Sequence, residues 1–351
     1  MKIYEITIKP SSGFGTPLKG DTIFGHFCWQ IAHDETLLDR RLDDLLSDYQ
    51  TSPFIIFSTA YSKFCVGTEC QYALKTPTIS LDELFNFSGN IKEKIKKRKE
   101  YKAKKWMILK EGQRILSFKE LEHPNDRKFL SDRELLEKVI ANMSDDTRKQ
   151  MKRMNAKNFM ASYSQPHNTI NRLTGTTGEG PFAPYSVAQG VYLPETELAL
   201  FVGIDEKFIA IDQVRAGLER MGETGFGKDS SLGLGRFSLS EDTEIDIMKI
   251  GSDTPNACYT LAPCVPEIDT YSEMFFTPFV RFGRHGDVLA KSGNPFKNPI
   301  IMADDGAIFK PKTQKVFAKP YIGRAITNIS KAEPKTVTQG YSIYIPMRVE
   351  V

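Results

Sequence analysis

A strand–helix–strand pattern that occurs twice, on either side of a long polar stretch, is the feature of this sequence that most constrains its fold. Residues 2–8 are rich in Ile, Tyr and Thr and predict a strand, and residues 53–58 predict a second, buried strand. Between them, apolar side chains recur at helical spacing, at Phe24, Phe27, Cys28 and Ile31. This spacing predicts a helix that packs one stripe against a sheet, with Asp21 or Thr22 as its N-cap.

The same order of elements returns after the polar stretch. Residues 198–204 predict a strand, and a helical stripe follows at Ile211, Val214, Leu218 and Met221. A glycine-rich turn over Gly225–Gly235 then leads into a strand predicted over Arg236–Leu239. Together the two patterns give the β-α-β-β-α-β order of the ferredoxin-like fold. We therefore predict an α+β chain whose first domain, residues 1–240, is ferredoxin-like.

The polar stretch is predicted to be an insertion of about residues 60–195 between the second and third strands of this domain. It is dense in Lys, Glu, Asp and Met, and its basic part, residues 86–165, predicts helices such as Ser131–Met143. The segment Lys92–Lys105 holds nine Lys or Arg and two Glu, a charge of +7, so the rest of the +3 chain sums to 3 − 7 = −4. Such a stripe fits a surface that contacts phosphates, or a solvated helix face, and both readings stay open.

A length of 351 residues corresponds to about two domains. The acidic stretch Ser240–Asp246 marks the predicted boundary, and residues 241–351 form the predicted second domain. Short strand patterns there predict a second sheet, over Tyr259–Leu261, Phe275–Arg281, Ala307–Lys310 and Tyr341–Pro346.

Cysteine usage and apolar runs argue against a metal site and a membrane span. The pairs Cys65/Cys70 and Cys258/Cys264 lack the spacing of a zinc knuckle, so we expect buried thiols, no metal and no cofactor. The longest apolar run, residues 198–204, is far shorter than the roughly 20 residues of a bilayer span. The N-terminus shows no apolar signal region, which predicts a cytoplasmic location without membrane contact.

The glycine-rich turn is the strongest candidate for a binding site. A backbone without Cβ atoms approaches a ligand closely and directs several N–H groups at one anion. Lys228, Ser230, Ser231 and Arg236 add side-chain donors along the same path. These groups suit the phosphates and sugars of a nucleic-acid backbone. A glycine-rich hairpin without a ligand is the alternative.

Several segments in this order resemble the RAMP superfamily of CRISPR proteins, and within it the family of the fourth Csm subunit of type III-A systems. The resemblance is carried by Leu18–Trp29, Asn168–Thr177, Gly225–Phe237, Phe282–Asp287 and Gln339–Tyr341. It spans the chain in islands and is poor through the helical insertion. The order and spacing of the islands, rather than any one of them, make it specific.

The resemblance implies a structural subunit of an RNA-guided effector complex with two ferredoxin-like RAMP domains. Its relatives hold the 5′ tag of the guide RNA (crRNA) and lie between the large polymerase/cyclase subunit and the repeating backbone subunit. In them, a β-hairpin inserted into the first domain acts as a thumb that kinks the guide. The RNA-binding residues it implies are Lys19, His26, Asn168, Arg172, Thr174, Gly225, Phe226, Gly227, Lys228, Ser230, Ser231, Gly233, Gly235, Arg236, Arg284 and His285.

Two enzymatic readings compete with this non-catalytic one. A metal-independent endoribonuclease that processes guide precursor would use His26 or His167 as general acid or base. A nucleotide phosphohydrolase would use Gly222–Lys228, which approaches the GxxxxGK motif of phosphate-binding loops. However, Asp229 stands where that motif has Ser or Thr, and the segment is predicted to join a helix to a strand rather than a strand to a helix. We expect no catalytic residues and no enzyme activity.

Overall fold

The computed structural model describes residues 1–66, 69–85, 90–102, 104–115, 117–121, 144–154 and 160–349. The predicted α+β class is confirmed, and strands outnumber helices within these residues. The strands are β1 Lys2–Pro10, β2 Ile55–Val66, β3 Glu69–Lys75, β4 Trp106–Lys110, β5 Met160–His167, β6 Tyr185–Tyr192, β7 Glu197–Ile204, β8 Phe237–Ile245, β9 Ala257–Thr260, β10 Tyr271–Phe275, β11 Pro278–Arg281, β12 Ile300–Ala303, β13 Ile308–Pro311, β14 Tyr321–Gly323 and β15 Tyr341–Met347. The α-helices are α1 Gly20–His33, α2 Leu42–Ser47, α3 Leu81–Leu84, α4 Ile91–Lys102, α5 Asp145–Met154, α6 Ile211–Thr224 and α7 Ile247–Ile250.

The larger sheet has six strands in the order β4-β3-β2-β7-β1-β8, and all neighbours are antiparallel. Helix α1 connects β1 to β2, and α6 connects β7 to β8. The two helices touch where Gly217 of α6 meets the Phe27 ring, because a Cβ there would lie 2.4 Å from the ring. The strand–helix–strand patterns predicted from the sequence are therefore present, and they share one sheet.

The apolar stripes of the two helices form the core of this sheet. Phe24, Phe27 and Ile31 of α1 are buried, as are Val214, Leu218 and Met221 of α6. Burying side chains of this size contributes about 1.5–3 kcal/mol each. Spacing alone predicted these positions because a core-facing helix must repeat its apolar residues every three to four positions.

The predicted N-cap of α1 is wrong. The helix begins at Gly20, and its N-cap residue is Lys19, whose side chain makes no capping bond. Asp21 lies inside the first turn and binds Arg281 of β11. Its partner is 260 residues away in the sequence, so no local pattern could reveal it.

The insertion between β2 and β7 is only partly helical where it is described. Helices α4 and α5 fall in its basic part, but β4 and the start of β5 fall there too, so the prediction of helix over residues 86–165 is too broad. Met107, Ile108 and Leu109 of β4 are buried, which explains why this segment extends the sheet instead. Strands β5 and β6 pair with each other as a separate hairpin. The predicted helix Ser131–Met143 lies outside the described residues.

The second sheet has five strands in the order β10-β13-β9-β15-β14, and β11 and β12 pair beside it. Among residues 257–349, all of which are described, helical turns are short 3₁₀ segments, without a crossing helix like α1 or α6. Strand β8 runs to Ile245, so the first sheet extends into the acidic stretch Ser240–Asp246. The extent of each domain and a ferredoxin-like second domain therefore stay predictions.

Two polar contacts, one buried and one partly buried, join the sheets. The Gln339 amide accepts a bond from Phe57 N–H at 2.9 Å and donates one to the Phe57 carbonyl at 2.7 Å. Asp304 and Asp305 bind both Lys19 and Lys75. These contacts hold the segment after β12 against the start of α1 and the end of β3.

Two of the cysteines, Cys65 and Cys70, differ from the predicted buried thiols. Cys65 and Cys70 are joined by a disulfide across the β2–β3 turn, so they are not free thiols. They face each other in the strand register, which brings their side chains together. Cys258 and Cys264 are buried and free, as expected. No helix in the described part of the chain has the length and apolarity that a bilayer crossing requires.

Candidate nucleic-acid interface

The glycine-rich loop Gly225–Gly235 follows α6 and leads into β8. Its backbone adopts φ angles that residues other than glycine rarely adopt. Five of its backbone positions have a positive φ: Gly225 at 95°, Gly227 at 77°, Asp229 at 60°, Gly233 at 91° and Gly235 at 72°. Four of the five are glycine, which adopts such angles without strain. The sequence thus encodes a tightly folded loop rather than a flexible linker.

The N-terminal segment 11–16 fixes the loop from one side. Thr16 Oγ1 accepts a hydrogen bond from Lys228 N–H at 2.9 Å, and the Gly13 carbonyl accepts one from Gly235 N–H at 2.8 Å. Ser12 Oγ accepts a third from Arg236 N–H at 2.8 Å. Because these contacts join residues more than 200 positions apart, the loop conformation depends on the folded sheet and not on local sequence alone.

Its glycines have different roles. A Cβ at Gly235 would lie 2.1 Å from the Phe226 carbonyl oxygen, and one at Gly227 would lie 2.5 Å from Thr16 Cβ. These two glycines allow the close approach that shapes the loop. A Cβ at Gly233 would meet nothing within 4 Å. Gly233 therefore presents bare backbone to open space, where a ligand has access.

Some backbone amide groups of the loop are available to donate a hydrogen bond to a ligand. Two of its amide N–H groups, those of Gly227 and Asp229 on either side of Lys228, donate no bond to another described residue. Lys228 and Ser231 are exposed beside them, and Ser230 is half-buried. Unpaired amides next to an ammonium and hydroxyls are the donors that an anionic oxygen requires.

The Phe226 ring and the Arg236 guanidinium are both engaged in contacts within the protein. Phe226 is fully buried, and its ring centroid lies 4.6 Å from that of His26. The Arg236 side chain is exposed, but its guanidinium donates to the Glu223 carbonyl. Both residues support the loop: Phe226 anchors it in the core, and Arg236 ties it to the end of α6.

His26 is held in its neutral form. Burial, and then the positive charge of Lys297, lower its pKa from 6.5 to about 4. The His26 ring makes no hydrogen bond to another described residue. An acid–base catalyst needs a partner that positions it, and the described surroundings of His26 supply an aromatic ring and a cation instead.

Lys297 is a residue of this region that sequence reasoning missed. Its backbone N–H donates to the Gly283 carbonyl at 2.8 Å, which places it beside the Phe282–Asp287 island. Burial lowers its pKa from the usual 10.5. The carboxylate of Asp21, which acts against this lowering of the pKa, is already bound to Arg281. Lys297 thus carries a positive charge without an ion pair among the described residues, and a single lysine in a loop gives no sequence signal.

The ammonium group of Lys19 has acidic partners within the protein. Its ammonium binds Asp304, lies 3.1 Å from Asp305 Oδ1, and lies 4.9 Å from the centre of the Phe279 ring. Burial raises the pKa of Asp305. A hydrogen bond with Asp305, and then the bonds from Lys19 and Lys75, hold the pKa of Asp304 below its usual value against the effect of burial. Lys19 is therefore engaged inside the protein, at the junction of the two sheets.

The remaining implied residues lie in two places. Asn168, Arg172 and Thr174 are exposed on the turn that joins β5 to β6. The base of that hairpin reaches the loop region, because Phe14 pairs with Gly190 of β6 through two backbone bonds of 2.8 and 2.9 Å. In the second half, His285 is buried and its Nε2 lies 2.7 Å from Ser330 Oγ, whereas Arg284 is exposed beside Phe296.

The segment Gly222–Lys228 has the wrong geometry for a phosphate-binding loop of a nucleotidase. Gly222 lies within α6 and packs against β8, where a Cβ would be 2.1 Å from the Phe237 carbonyl oxygen. The helix ends at Thr224 before the glycines begin. In a nucleotidase the helix follows the loop and points its N-terminus at the phosphates.

Solved structures with a similar fold match the chain over its whole length. A chain from the crystal structure of a Csm1–Csm4 cassette in complex with cA4 matches over 100% of both chains with a TM-score of 0.53 and 12% identity. A chain from the crystal structure of the Csm3–Csm4 subcomplex in the type III-A CRISPR-Cas interference complex matches over 99% of this chain and 100% of the other, with a TM-score of 0.53 and 14% identity. The chain therefore shares its overall fold with chains of these two complexes.

The two complexes have one named component in common. Csm4 is the component common to both complexes, so the chain has a Csm4-like fold, and the predicted resemblance is confirmed at the level of the fold. No protein-family model matches the sequence, and no curated protein does. At 12–14% identity, the likeness extends to the path of the chain and not to individual residues.

Proposed function

We propose that the chain is a non-catalytic, guide-RNA-binding subunit of a type III-A-like CRISPR effector complex. The observation that carries this proposal is the loop Gly225–Gly235, in which unpaired amides flank the exposed Lys228 on a backbone fixed by segment 11–16. Such donors hold sugar–phosphate groups without reading base identity. The Csm4-like fold supports the same reading and favours the 5′ tag of the guide as the segment that is held.

The partners proposed for the chain are those named with its structural neighbours. These neighbours come from a Csm1–Csm4 cassette and a Csm3–Csm4 subcomplex, which favours a large subunit and a repeating backbone subunit on either side of this chain. Within this proposal, residues 1–240 and 241–351 are two RAMP-type domains, and the β5–β6 hairpin is the thumb that contacts the guide. Its exposed turn carries Asn168, Arg172 and Thr174.

Endoribonuclease activity is the competing function, and it makes a distinct prediction. It would need His26 or His167 to exchange protons with RNA. The His26 ring instead lies tilted against Phe226, and the His167 ring stacks on Tyr185 with ring centroids 5.2 Å apart. Incubation of the purified chain with repeat-containing RNA, with and without chelator, separates the two. We expect intact RNA with retarded mobility. Cut RNA that disappears with His26→Ala or His167→Ala would contradict the proposal.

Assembly provides a second test of the proposal. Co-expression with candidate large and backbone subunits, followed by purification through this chain, is expected to yield a complex that contains a short RNA of discrete length. A complex without RNA would contradict the guide-binding role while leaving the assembly role in place. ATP turnover that depends on Lys228 would favour the nucleotidase reading instead.

A further inference from the structure

Helix α4, Ile91–Lys102, has no buried residue and carries seven of the nine Lys and Arg residues of the basic segment Lys92–Lys105. Most soluble helices bury an apolar stripe, and a helix that is polar all round needs another reason to be stable. Lysines three and four positions apart on α4 repel each other, which further destabilises it. The function proposed for the glycine-rich loop does not account for this helix.

The helix is nevertheless attached to the protein along one side. Tyr101 stacks on Phe85 with ring centroids 4.1 Å apart, and Arg98 lies 3.3 Å from Asp82. At its N-terminus, Asn90 and Glu93 exchange backbone and side-chain hydrogen bonds as a capping box. These contacts fix which face of α4 points away from the body.

Three lysines lie on that outward face. At 100° per residue, Lys92, Lys96 and Lys99 fall within about 60° of one another and on the side of the helix roughly opposite Arg98 and Tyr101. All three are exposed, and none has an ion pair within the described residues. From Lys92 to Lys99 the row spans seven residues, about 10 Å along the axis.

We propose that this row, Lys92, Lys96 and Lys99, is a second nucleic-acid site that binds the sugar–phosphate backbone of single-stranded RNA. The row presents three unpaired charges in a line, which complements the regular charge of a phosphodiester strand. The inference extends the proposed function, because it adds a contact for an RNA strand, but it does not require the glycine-rich loop.

Other anionic partners fit this face less well. Protein interfaces are depleted in lysine and rely on aromatic or apolar anchors, while the one aromatic residue of α4, Tyr101, is already stacked on Phe85. A membrane-surface helix needs a broad apolar face. Here the exposed apolar residues are Ile91 and Ile95 alone.

The two sites lie near opposite edges of the large sheet. Helix α4 leads into edge strand β4, and the glycine-rich loop leads into edge strand β8. Five strand spacings separate these edges, about 24 Å. A stacked strand advances about 3.4 Å per nucleotide, so about seven stacked nucleotides cover the distance between these two edges.

The test measures how the affinity of the full chain for polyuridylate RNA depends on salt, between about 50 and 200 mM. The triple variant K92Q/K96Q/K99Q is compared with K207Q/K315Q/K331Q, which removes the same charge from exposed lysines without ion pairs. Each lost phosphate contact reduces the slope by about 0.7, so we expect a reduction of about 2 for the α4 variant and no change for the control.

Two further measurements keep the outcome interpretable. Circular dichroism should show that the α4 variant keeps its helix content, since removing repulsion does not unfold a helix. An unchanged slope, or an equal loss in the control, would overturn the proposal. An unchanged RNA slope together with lost binding to polyglutamate would assign the face to an acidic protein instead.

Failure of this inference and failure of the proposed function are distinguishable in the same assay. If Gly233→Asn leaves RNA affinity unchanged while the α4 variant flattens the slope, the loop site is refuted and the α4 site stands. If Gly233→Asn weakens binding and the α4 variant keeps the wild-type slope, the reverse holds.

Discussion

The guanidinium of Arg281 donates two hydrogen bonds to the carboxylate of Asp21, from Nε to Oδ2 at 2.5 Å and from Nη2 to Oδ1 at 2.9 Å. Only 2% of the Asp21 side chain is exposed, so the carboxylate has almost no access to water. This pair joins the first turn of α1 to β11. It connects the sheet that carries the glycine-rich loop to the half that carries Lys297.

Removing one partner of this pair leaves a buried charge without compensation. We expect Arg281→Ala to lower the free energy of unfolding by about 3 kcal/mol, the low end of the range for such losses because Arg281 is partly exposed. Urea denaturation of Arg281→Ala and of the control Arg284→Ala measures this. Arg284 is exposed and lies over Phe296, so its loss should change stability by less than about 0.5 kcal/mol. Equal effects of the two variants would contradict the assignment.

The stability of the fold should depend on pH through His26. Its pKa is about 4 in the folded chain and near 6.5 when unfolded, so between these values the unfolded chain takes up a proton that the folded chain does not. The contribution of neutral His26 is complete above pH 6.5 and is lost as the pH falls towards 4, by at most about 3 kcal/mol.

The measurement for His26 is the free energy of unfolding across that pH range in wild type and His26→Gln. Other groups also titrate there, so the difference between the two profiles isolates His26. We expect a shallower loss of stability on acidification in the variant. Parallel profiles would show that His26 is not shielded from protonation.

The open space above Gly233 allows a direct test of the RNA-binding surface. Asn tolerates the left-handed backbone, so Gly233→Asn adds a side chain to this space with little strain. We expect RNA affinity to fall about tenfold, about 1.4 kcal/mol, because the side chain occupies the position of the strand. Gly112→Asn is the matched control, since Gly112 also has a positive φ and nothing within 4 Å of its Cβ position. Equal affinities of the two variants would place RNA elsewhere.

Gln339 should be important for stability because its side-chain amide is hydrogen-bonded to the buried backbone N–H and carbonyl groups of Phe57 in β2. Gln339→Leu leaves the N–H and carbonyl groups of Phe57 without partners, which costs about 2–3 kcal/mol. The control Gln314→Leu removes an exposed amide with one long bond and should be nearly neutral. Thermal unfolding of both variants measures the difference, and a small effect at Gln339 would mean that water replaces its bonds.

Periodic patterns predicted the elements of the first sheet because a helix or strand that packs against a core repeats its apolar residues locally. They could not predict contacts between distant residues. Asp21 and Arg281 are 260 positions apart, and Lys228 and Thr16 are 212 apart. Neither contact can be recognised from a short stretch of sequence.

The same limit applies to the surroundings of the candidate residues. The sequence placed the glycine-rich turn correctly between a helix and a strand, but it could not show that Phe226 faces the core or that Lys19 is bound by two aspartates. Lys297 was not predicted because its lowered pKa results from burial in the fold and not from its neighbours in the sequence.

The position of β1 between β7 and β8 in the large sheet has a consequence for biosynthesis. Both of its neighbours, β7 and β8, come late in the chain, and β7 begins at Glu197. A ribosome that adds roughly 5–20 residues per second needs about 10–40 s to make the intervening 190 or so residues. During that interval the first strand emerges with both edges unsatisfied, so the nascent chain is exposed to aggregation until its second half is translated.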